Sequence, residues 1–502
     1  MLAPRFTSAI LIGGLIASTV QASAQVAVAA DPDVAEALEV ARVWLEAEHA
    51  YDRIPGISAA LVHDQELLWS GGYGHAHPDR AAPATAETLY SICSISKLFT
   101  SVALMQLRDR GLFELSDPVA ELLPWFAIEQ SFPEAPPVTV EGILTHSSGL
   151  PRESAHPYWS APDFPFPTRE EVIAGLSGQE TLYPAWRYFQ YSNLGLTLAG
   201  ELVRELSGVP YDEYVRRNVL GPLGLEDTYP EMPAEQRGRR LATGHSALDR
   251  QGARHETPFF QARGIAPAAG YASTVEDLAR FASWQFRLEG DDHEVLDAHT
   301  LREMRRVHYV DPEWETFWGL GFAISRDDDR TFVGHGGSCP GYQSQLLMND
   351  DDEIAVVIMA NASGVDTNKY VRGMYDLVAP AVRAAVEASD EGDEPVAGDD
   401  AAADGATGPR ASVDLDDYVG TYSDQPWGGE TAIVRWQDGL AMLGLPTESP
   451  RRALRELRHI EGDTFRRVRT DDELGEAIIF ERDASGRVTG YRQHGNLSPR
   501  VR

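Results

Sequence analysis

Between Glu387 and Ala411 the chain consists mostly of Ala, Asp, Glu and Gly, and Val396 is its only larger apolar residue. Such a segment buries too little apolar surface to offset the entropy of ordering it. It reads as a flexible acidic linker, 387–411, that divides the 502 residues into a long body, 25–386, and a tail, 412–502. The body opens with a helical pattern from Val34 to Tyr51. Strand-like runs follow at Gly56–His63 and Glu66–Gly72, joined tightly at Asp64-Gln65 as a hairpin. Leu98, Val102, Met105 and Leu107 recur at helical spacing over Lys97–Arg110, and Gly111 stands where that helix would stop. Short helical patterns rich in proline and tryptophan fill about 115–230. Strand-like runs return at Phe332–Gly334 and Ile354–Met359, ahead of a closing helix over Tyr370–Val386. Strands at both ends with helices between them predict a mixed α/β (α+β) body: one sheet flanked by helices, with an all-α insertion. The tail holds strand candidates at Tyr418–Tyr422, Ala432–Trp436, Leu440–Leu443, Thr464–Val468, Ala477–Glu481 and Arg487–Arg492. These predict a small all-β barrel or sandwich.

The first 24 residues carry one charged side chain, Arg5, before an apolar run from Ala9 to Val20 and the small-residue site Ala22-Ser23-Ala24. This is the pattern of a signal peptide, 1–24, and implies a periplasmic or secreted protein that starts near Gln25. The apolar run has 12 residues, too few to span a bilayer as a helix, so no membrane anchor is expected. A net charge of −34 argues against nucleic acid and anionic membrane surfaces as partners.

Of 43 basic residues only two are lysines, Lys97 and Lys369. Arginine does not lose its proton in proteins, whereas a buried lysine does, so a lysine kept against this bias points to chemistry that arginine cannot perform. Lys97 closes Ser94-Ile95-Ser96-Lys97 at the start of a predicted helix, where residues three apart share a face. A serine hydroxyl becomes a nucleophile only when a neighbour takes its proton, and an unprotonated lysine in a dry site can do so. Three further motifs follow in order: Leu144-Thr145-His146-Ser147-Ser148-Gly149-Leu150, Tyr191-Ser192-Asn193 and His335-Gly336-Gly337.

This ordered set resembles the penicillin-recognising serine hydrolases: class C β-lactamases, DD-peptidases, D-amino-acid amidases and the carboxylesterases of that fold. So do Pro222–Thr228 and Ala268–Thr274. The resemblance covers about residues 50–385 and implies a β-lactamase/transpeptidase-like antiparallel sheet. It also implies a set of roles: Ser94 as nucleophile, Lys97 as the group that eases its deprotonation, and Tyr191 as proton shuttle. Lys97 and Tyr191 both stand as candidates for the base. Asn193 would bind substrate and Lys97, and the N–H groups of Ser94 and Ser338, beside Gly337, would form the oxyanion hole. Where many relatives carry a lysine, this chain has His335, which shifts the expected substrate from lactams toward amides, peptides or esters. If His335 contacts a substrate carboxylate, turnover of such substrates should improve below about pH 6.5. Some class A carbapenem-hydrolysing β-lactamases look similar in joining the neighbours of nucleophile and strand by a disulfide, which implies a Cys93–Cys339 bridge here. The tail, through Tyr418-Val419-Gly420-Thr421-Tyr422, resembles the lipocalin-like C-terminal domain of some members and could reach the cleft of its own or a neighbouring subunit.

The expected protein is thus an exported acyl-enzyme hydrolase of peptide or amide bonds, with a carboxylesterase as the alternative and a β-lactamase third. Its partner is a small peptide, amide or ester, with an oligomer left open. No cofactor and no metal is expected. His75 and His77 read as solvated turn residues, His146 as a buried structural histidine, Ser148 as a turn residue and Tyr188 as packing, while Trp186 and Trp318 are candidates for the cleft wall.

Overall fold

A computed structural model of the chain describes residues 28–391 and 413–502, apart from positions 161, 289, 291, 328, 426–428, 438, 470–471 and 494–495. The expected signal peptide and most of the expected linker lie outside the described residues. The start of that linker is helical instead, because the closing helix runs on to Glu391.

The first helix, α1 (Pro32–Tyr51), begins where Asp31 accepts from the N–H groups of Asp33 and Val34 and Pro32 presets the first turn. Its buried face is Val34, Ala37, Leu38, Ala41, Trp44, Leu45 and Glu48. Strands β1 (Gly56–His63) and β2 (Glu66–His77) form the expected hairpin. Helix α2 (Ser96–Asp109) follows, then the insertion with α3 (Asn193–Ser207) and α4 (Val275–Arg287) as its longer helices. Strands β3 (Ala323–Asp327), β4 (Arg330–Cys339), β5 (Tyr342–Asn349) and β6 (Ile354–Ala360) lead into α5 (Thr367–Glu391). All pair antiparallel in one nine-stranded sheet, ordered Ala82–Pro83, β2, β1, β6, β5, β4, β3, Phe317–Trp318, Tyr309–Val310. The first and last strands of this sheet in chain order, β1 and β6, lie side by side, with Ala60 opposite Val357.

Side chains alternate across a strand, so each central strand feeds two cores. Ile57, Ala59, Leu61, Val356 and Ile358 join Trp44 of α1 and Tyr370 and Met374 of α5. Ala60, Val62, Val357 and Met359 join Phe99 and Val102 of α2 and Phe281 and Trp284 of α4. The helices α1 and α5 lie so close that a Cβ on Gly373 would meet the Trp44 ring at 2.4 Å.

The tail is an antiparallel meander of eight strands, β7 (Gly420–Ser423), β8 (Glu430–Trp436), β9 (Gly439–Leu445), β10 (Leu454–Glu461), β11 (Thr464–Val468), β12 (Leu474–Arg482), β13 (Val488–Gln493) and β14 (Asn496–Pro499). It nearly closes into a barrel where Val501 N donates to Thr421 O at 2.8 Å. Tyr418, Tyr422, Phe465, Phe480 and Tyr491 fill it. Two of these strands, β10 and β14, lack sequence signals: only Leu454 and Leu457 of β10 are buried, and β14 is the four residues Asn-Leu-Ser-Pro. The outer sides of β8 and β9 (Ala432, Val434, Ala441, Leu443) pack into the α1–α5 core. Trp44 Nε1 donates to Thr447 O at 2.9 Å, and the Thr447 N–H donates to Glu48. The barrel therefore docks on the sheet face opposite α2, behind the body, and not on the cleft of its own chain.

Candidate active site

Ser94 lies in a single 3₁₀ turn, Cys93–Ile95, that feeds directly into α2. The turn is anchored from two sides. Cys93, at a left-handed φ of 49°, is disulfide-bonded to Cys339 at the end of β4, with 5.7 Å between their Cα atoms. Ser344 of β5 donates to Ile92 O at 3.0 Å. Between these ties β4 runs so close that a Cβ on Gly337 would sit 2.2 Å from Ile92 O, so only glycine fits there. Ser338, the next residue, is exposed beside the same turn. The strand β4 thus runs on past the apolar run Phe332–Gly334 and carries His335, Gly336 and Gly337 in its second half.

One helical turn beyond Ser94, Lys97 is fully buried. Its Nζ lies 2.8 Å from Asn193 Oδ1, 2.8 Å from Ala268 O and 3.1 Å from Ser94 Oγ. All three partners are neutral. Burial holds the Lys97 pKa well below the usual lysine value, against the pull of Glu153, while Arg152 lowers it further. In the neutral amine the two N–H bonds go to the two carbonyl oxygens, which leaves the lone pair facing the Ser94 hydroxyl. Tyr191 is packed beside them: its ring is 4.3 Å from that of His146, with Lys97 Nζ at 4.8 Å and the Arg152 guanidinium at 4.9 Å. Burial raises the Tyr191 phenol above its ordinary range, only partly opposed by a hydrogen bond with Ser94 and by Arg152. The phenol therefore keeps its proton at neutral pH.

Asn193 opens α3, where Ser192 accepts from Gly195 N at 2.9 Å as N-cap. Its Nδ2 donates to both oxygens of Glu153, at 2.8 and 3.0 Å. Glu153 and Arg152 follow the second motif directly, yet no pattern in the sequence marks them, since their partners lie some forty residues on. His335 corrects the pH expectation. It is buried, its Nδ1 donates to Gly336 O at 2.6 Å, and burial pushes its pKa down to about 3, with a protonated Lys97 acting in the same direction. It is neutral throughout the range in which it was expected to switch.

Trp318 forms a wall of the site, its ring 5.5 Å from His335 and 6.0 Å from Tyr191. Trp186 and Tyr188 stay partly exposed on the preceding loop, where Tyr188 packs on Tyr183. His146 is buried beneath Tyr191 and accepts from Ser192 N at 3.1 Å. His75 is exposed, but His77 is buried and bonded to Thr243 and Arg239, so it is a packing residue and not a solvated one.

The family profile described as "Beta-lactamase" matches residues 43–380, and a domain of unknown function (DUF3471) matches 406–501. Among curated proteins, "Beta-lactamase-like protein 2" of Dictyostelium discoideum is 25% identical over 398 residues, 77% of this chain and 71% of that protein. The octameric penicillin-binding protein homologue of Pyrococcus abyssi shares the fold at a TM-score of 0.60 and 24% identity, over 89% of this chain and 96% of that one. The D-amino acid amidase of Ochrobactrum anthropi SV3 has a TM-score of 0.57 and 26% identity, over 70% and 99%. The first profile spans well over half of the chain and takes in Ser94, Lys97, Tyr191 and His335, and on that match the chain belongs to the β-lactamase family.

Proposed function

We propose that this protein is a serine hydrolase that cleaves amide or short peptide bonds through an acyl-enzyme on Ser94. The observation that carries the reading is the neutral surroundings of Lys97, whose lone pair is left for Ser94. Lys97 takes the Ser94 proton as Oγ bonds to the substrate carbonyl carbon. The oxyanion is held at the backbone N–H groups of Ser94 and Ser338. As the C–N bond breaks, Tyr191 gives its phenol proton to the leaving amine and recovers one from Lys97. A water then attacks the ester, its proton passes back through the same pair, and Ser94 is released. The raised pKa of Tyr191 supports this division, with Lys97 as base and Tyr191 as acid.

An amide demands leaving-group protonation that an ester does not, and the likeness to a D-amino acid amidase favours the same choice. A carboxylesterase is the second reading, because it would use the same residues. A β-lactamase is disfavoured because His335 supplies no cation for a lactam carboxylate. Export from the cytoplasm is part of the proposal: the N-terminal segment has signal-peptide character, and the Cys93–Cys339 bridge suits an oxidising compartment.

The test compares a D-alanyl nitroanilide with a nitrophenyl butyrate, using the wild type and Ser94→Ala. Anilide turnover that is lost in the variant supports the amidase. Ester turnover alone selects the esterase, and activity that survives Ser94→Ala refutes the mechanism.

A further inference from the structure

The geometry points to Glu153 as a positioning residue that fixes the Asn193 side-chain amide, and through it the free lone pair of Lys97. This rests on the proposed role of Lys97 as base. An asparagine amide has two faces, one that accepts and one that donates. With Oδ1 toward Lys97, as here at 2.8 Å, the amine spends an N–H on Asn193 and keeps its lone pair for Ser94. With the amide turned over, Nδ2–H would take that lone pair and the base would be blocked. Lys97 and Asn193 alone do not decide between these states, since an amine pairs with either face.

Glu153 decides. A carboxylate only accepts, and both of its oxygens take Nδ2, at 2.8 and 3.0 Å. Turning the amide would set Oδ1 against two anionic oxygens. The carboxylate is itself held: the Tyr158 hydroxyl donates to Oε2, and Arg152 Nε lies 3.2 Å from Oε1. The same dipeptide grips the Asn193 backbone, because Arg152 O accepts from Asn193 N at 2.7 Å and from Leu194 N at 3.2 Å. Arg152 and Glu153 also bring opposite charges to Lys97, whose remaining neighbours are His335 of β4, His146, Tyr191 and the Ala268 carbonyl. Burial keeps both histidines neutral and the tyrosine protonated.

The experiment measures the rate at which a fluorophosphonate labels Ser94, across pH, in the full chain and in Glu153→Leu and Glu153→Gln, with melting curves for each. Glu153→Leu frees the amide and slows labelling by about tenfold or more, since small misplacements of catalytic groups carry penalties of that order. Glu153→Gln can still accept from Nδ2 through Oε1 but no longer forbids the turned amide, so its maximal rate lies between those of the wild type and the leucine variant. Loss of the negative charge lowers the Lys97 pKa, and the acid limb of its profile moves down by about one pH unit. Wild-type labelling in Glu153→Leu overturns the inference. So does a Glu153→Gln profile whose limb does not move, a readout that remains if the leucine variant fails to fold. Absence of labelling in the wild type would refute the acyl-enzyme reading itself, which is a separate result.

Discussion

Breaking the Cys93–Cys339 bridge should loosen the body and unseat Ser94 together. The bridge spans a sequence separation of 246 residues and joins two buried side chains. In the chain-entropy treatment a loop of this length removes 2.1 + 1.5R ln n, or about 18 cal/mol/K, from the unfolded ensemble, about 5.5 kcal/mol at 25 °C. Residual structure in the unfolded chain makes that an upper bound, and native bridges usually contribute about 2–5 kcal/mol. A body of about 360 residues unfolds with an entropy near 0.75 kcal/mol/K, so a loss of about 2–5 kcal/mol becomes a fall in Tm of about 3–7 °C. Calorimetry of the oxidised protein, the reduced protein and Cys339→Ala measures this, with mass spectrometry to count alkylated thiols. The reduced protein and Cys339→Ala should melt together, and reductant should not change the variant further. Labelling of Ser94 should slow in both, because Cys93 holds its left-handed φ between the bridge and β4. Full alkylation of both cysteines in denatured, unreduced protein would refute the pairing. An unchanged Tm after confirmed reduction would refute the stability argument.

Lys97→Arg places a permanent, wider cation among neutral oxygens and cannot supply a base; kcat for the nitroanilide should fall by about 10²–10⁴-fold at a temperature where the variant is still folded, and near-normal kcat would remove Lys97 from that role. His335 titrates at about 3 in the fold against 6.5 unfolded, so its contribution to stability is complete above pH 6.5 and is lost as pH falls toward 3. Urea midpoints between pH 7 and 4 should therefore decline less steeply for His335→Gln than for wild type, and parallel curves would contradict the buried neutral state. Glu48→Ala strips Lys369 and the Thr447 N–H of a buried partner and should cost about 3–5 kcal/mol in urea unfolding, while kcat/KM at 25 °C stays near wild type because the barrel docks behind the body. A selective loss of kcat/KM in a folded variant would mean that the barrel reaches the cleft.

Periodicity in the sequence locates what is locally determined. The β1–β2 hairpin, α1 and β6 follow from apolar spacing and turn residues, and their observed bounds differ from expectation by a few residues. The strand β4 is longer than its apolar pattern because its second half, His335 to Cys339, is held by contacts with the turn that carries Ser94 and not by its own side chains. In the site, Ser94 and Lys97 meet because three residues separate them at the start of α2, and Tyr191 and Asn193 stand together at the start of α3; only the fold brings the two pairs together. Glu153 stands outside them. Its value depends on Asn193, forty residues later, and on Tyr158, and such a contact exists only after folding. The state of His335 was equally invisible, because burial and not residue type sets its pKa.

The two lysines show how far composition carries a functional argument. Both stand in a chain that otherwise uses arginine, yet their surroundings are opposite. Lys97 meets only neutral oxygens, and burial pulls its pKa well below the usual lysine value. Lys369 meets Glu48 at 2.7 Å and Asp52 at 2.8 Å, and those two carboxylates raise its pKa despite partial burial. It is a permanent cation at the junction of α1, α5 and the barrel. An arginine would carry the same charge there, but its planar fork is wider than the single Nζ that sits between two carboxylates. Scarcity therefore marks lysines at which arginine fails, and there are two ways to fail, by charge and by shape. Only the partners of each Nζ separate them: carbonyl and hydroxyl oxygens suit the base proposed at Lys97, and carboxylates make a structural cation at Lys369. Lys97→Arg should accordingly cost rate even where the variant stays folded, and Lys369→Arg should cost stability with little rate. If both variants lost only stability, the assignment of Lys97 as the base would fall with them.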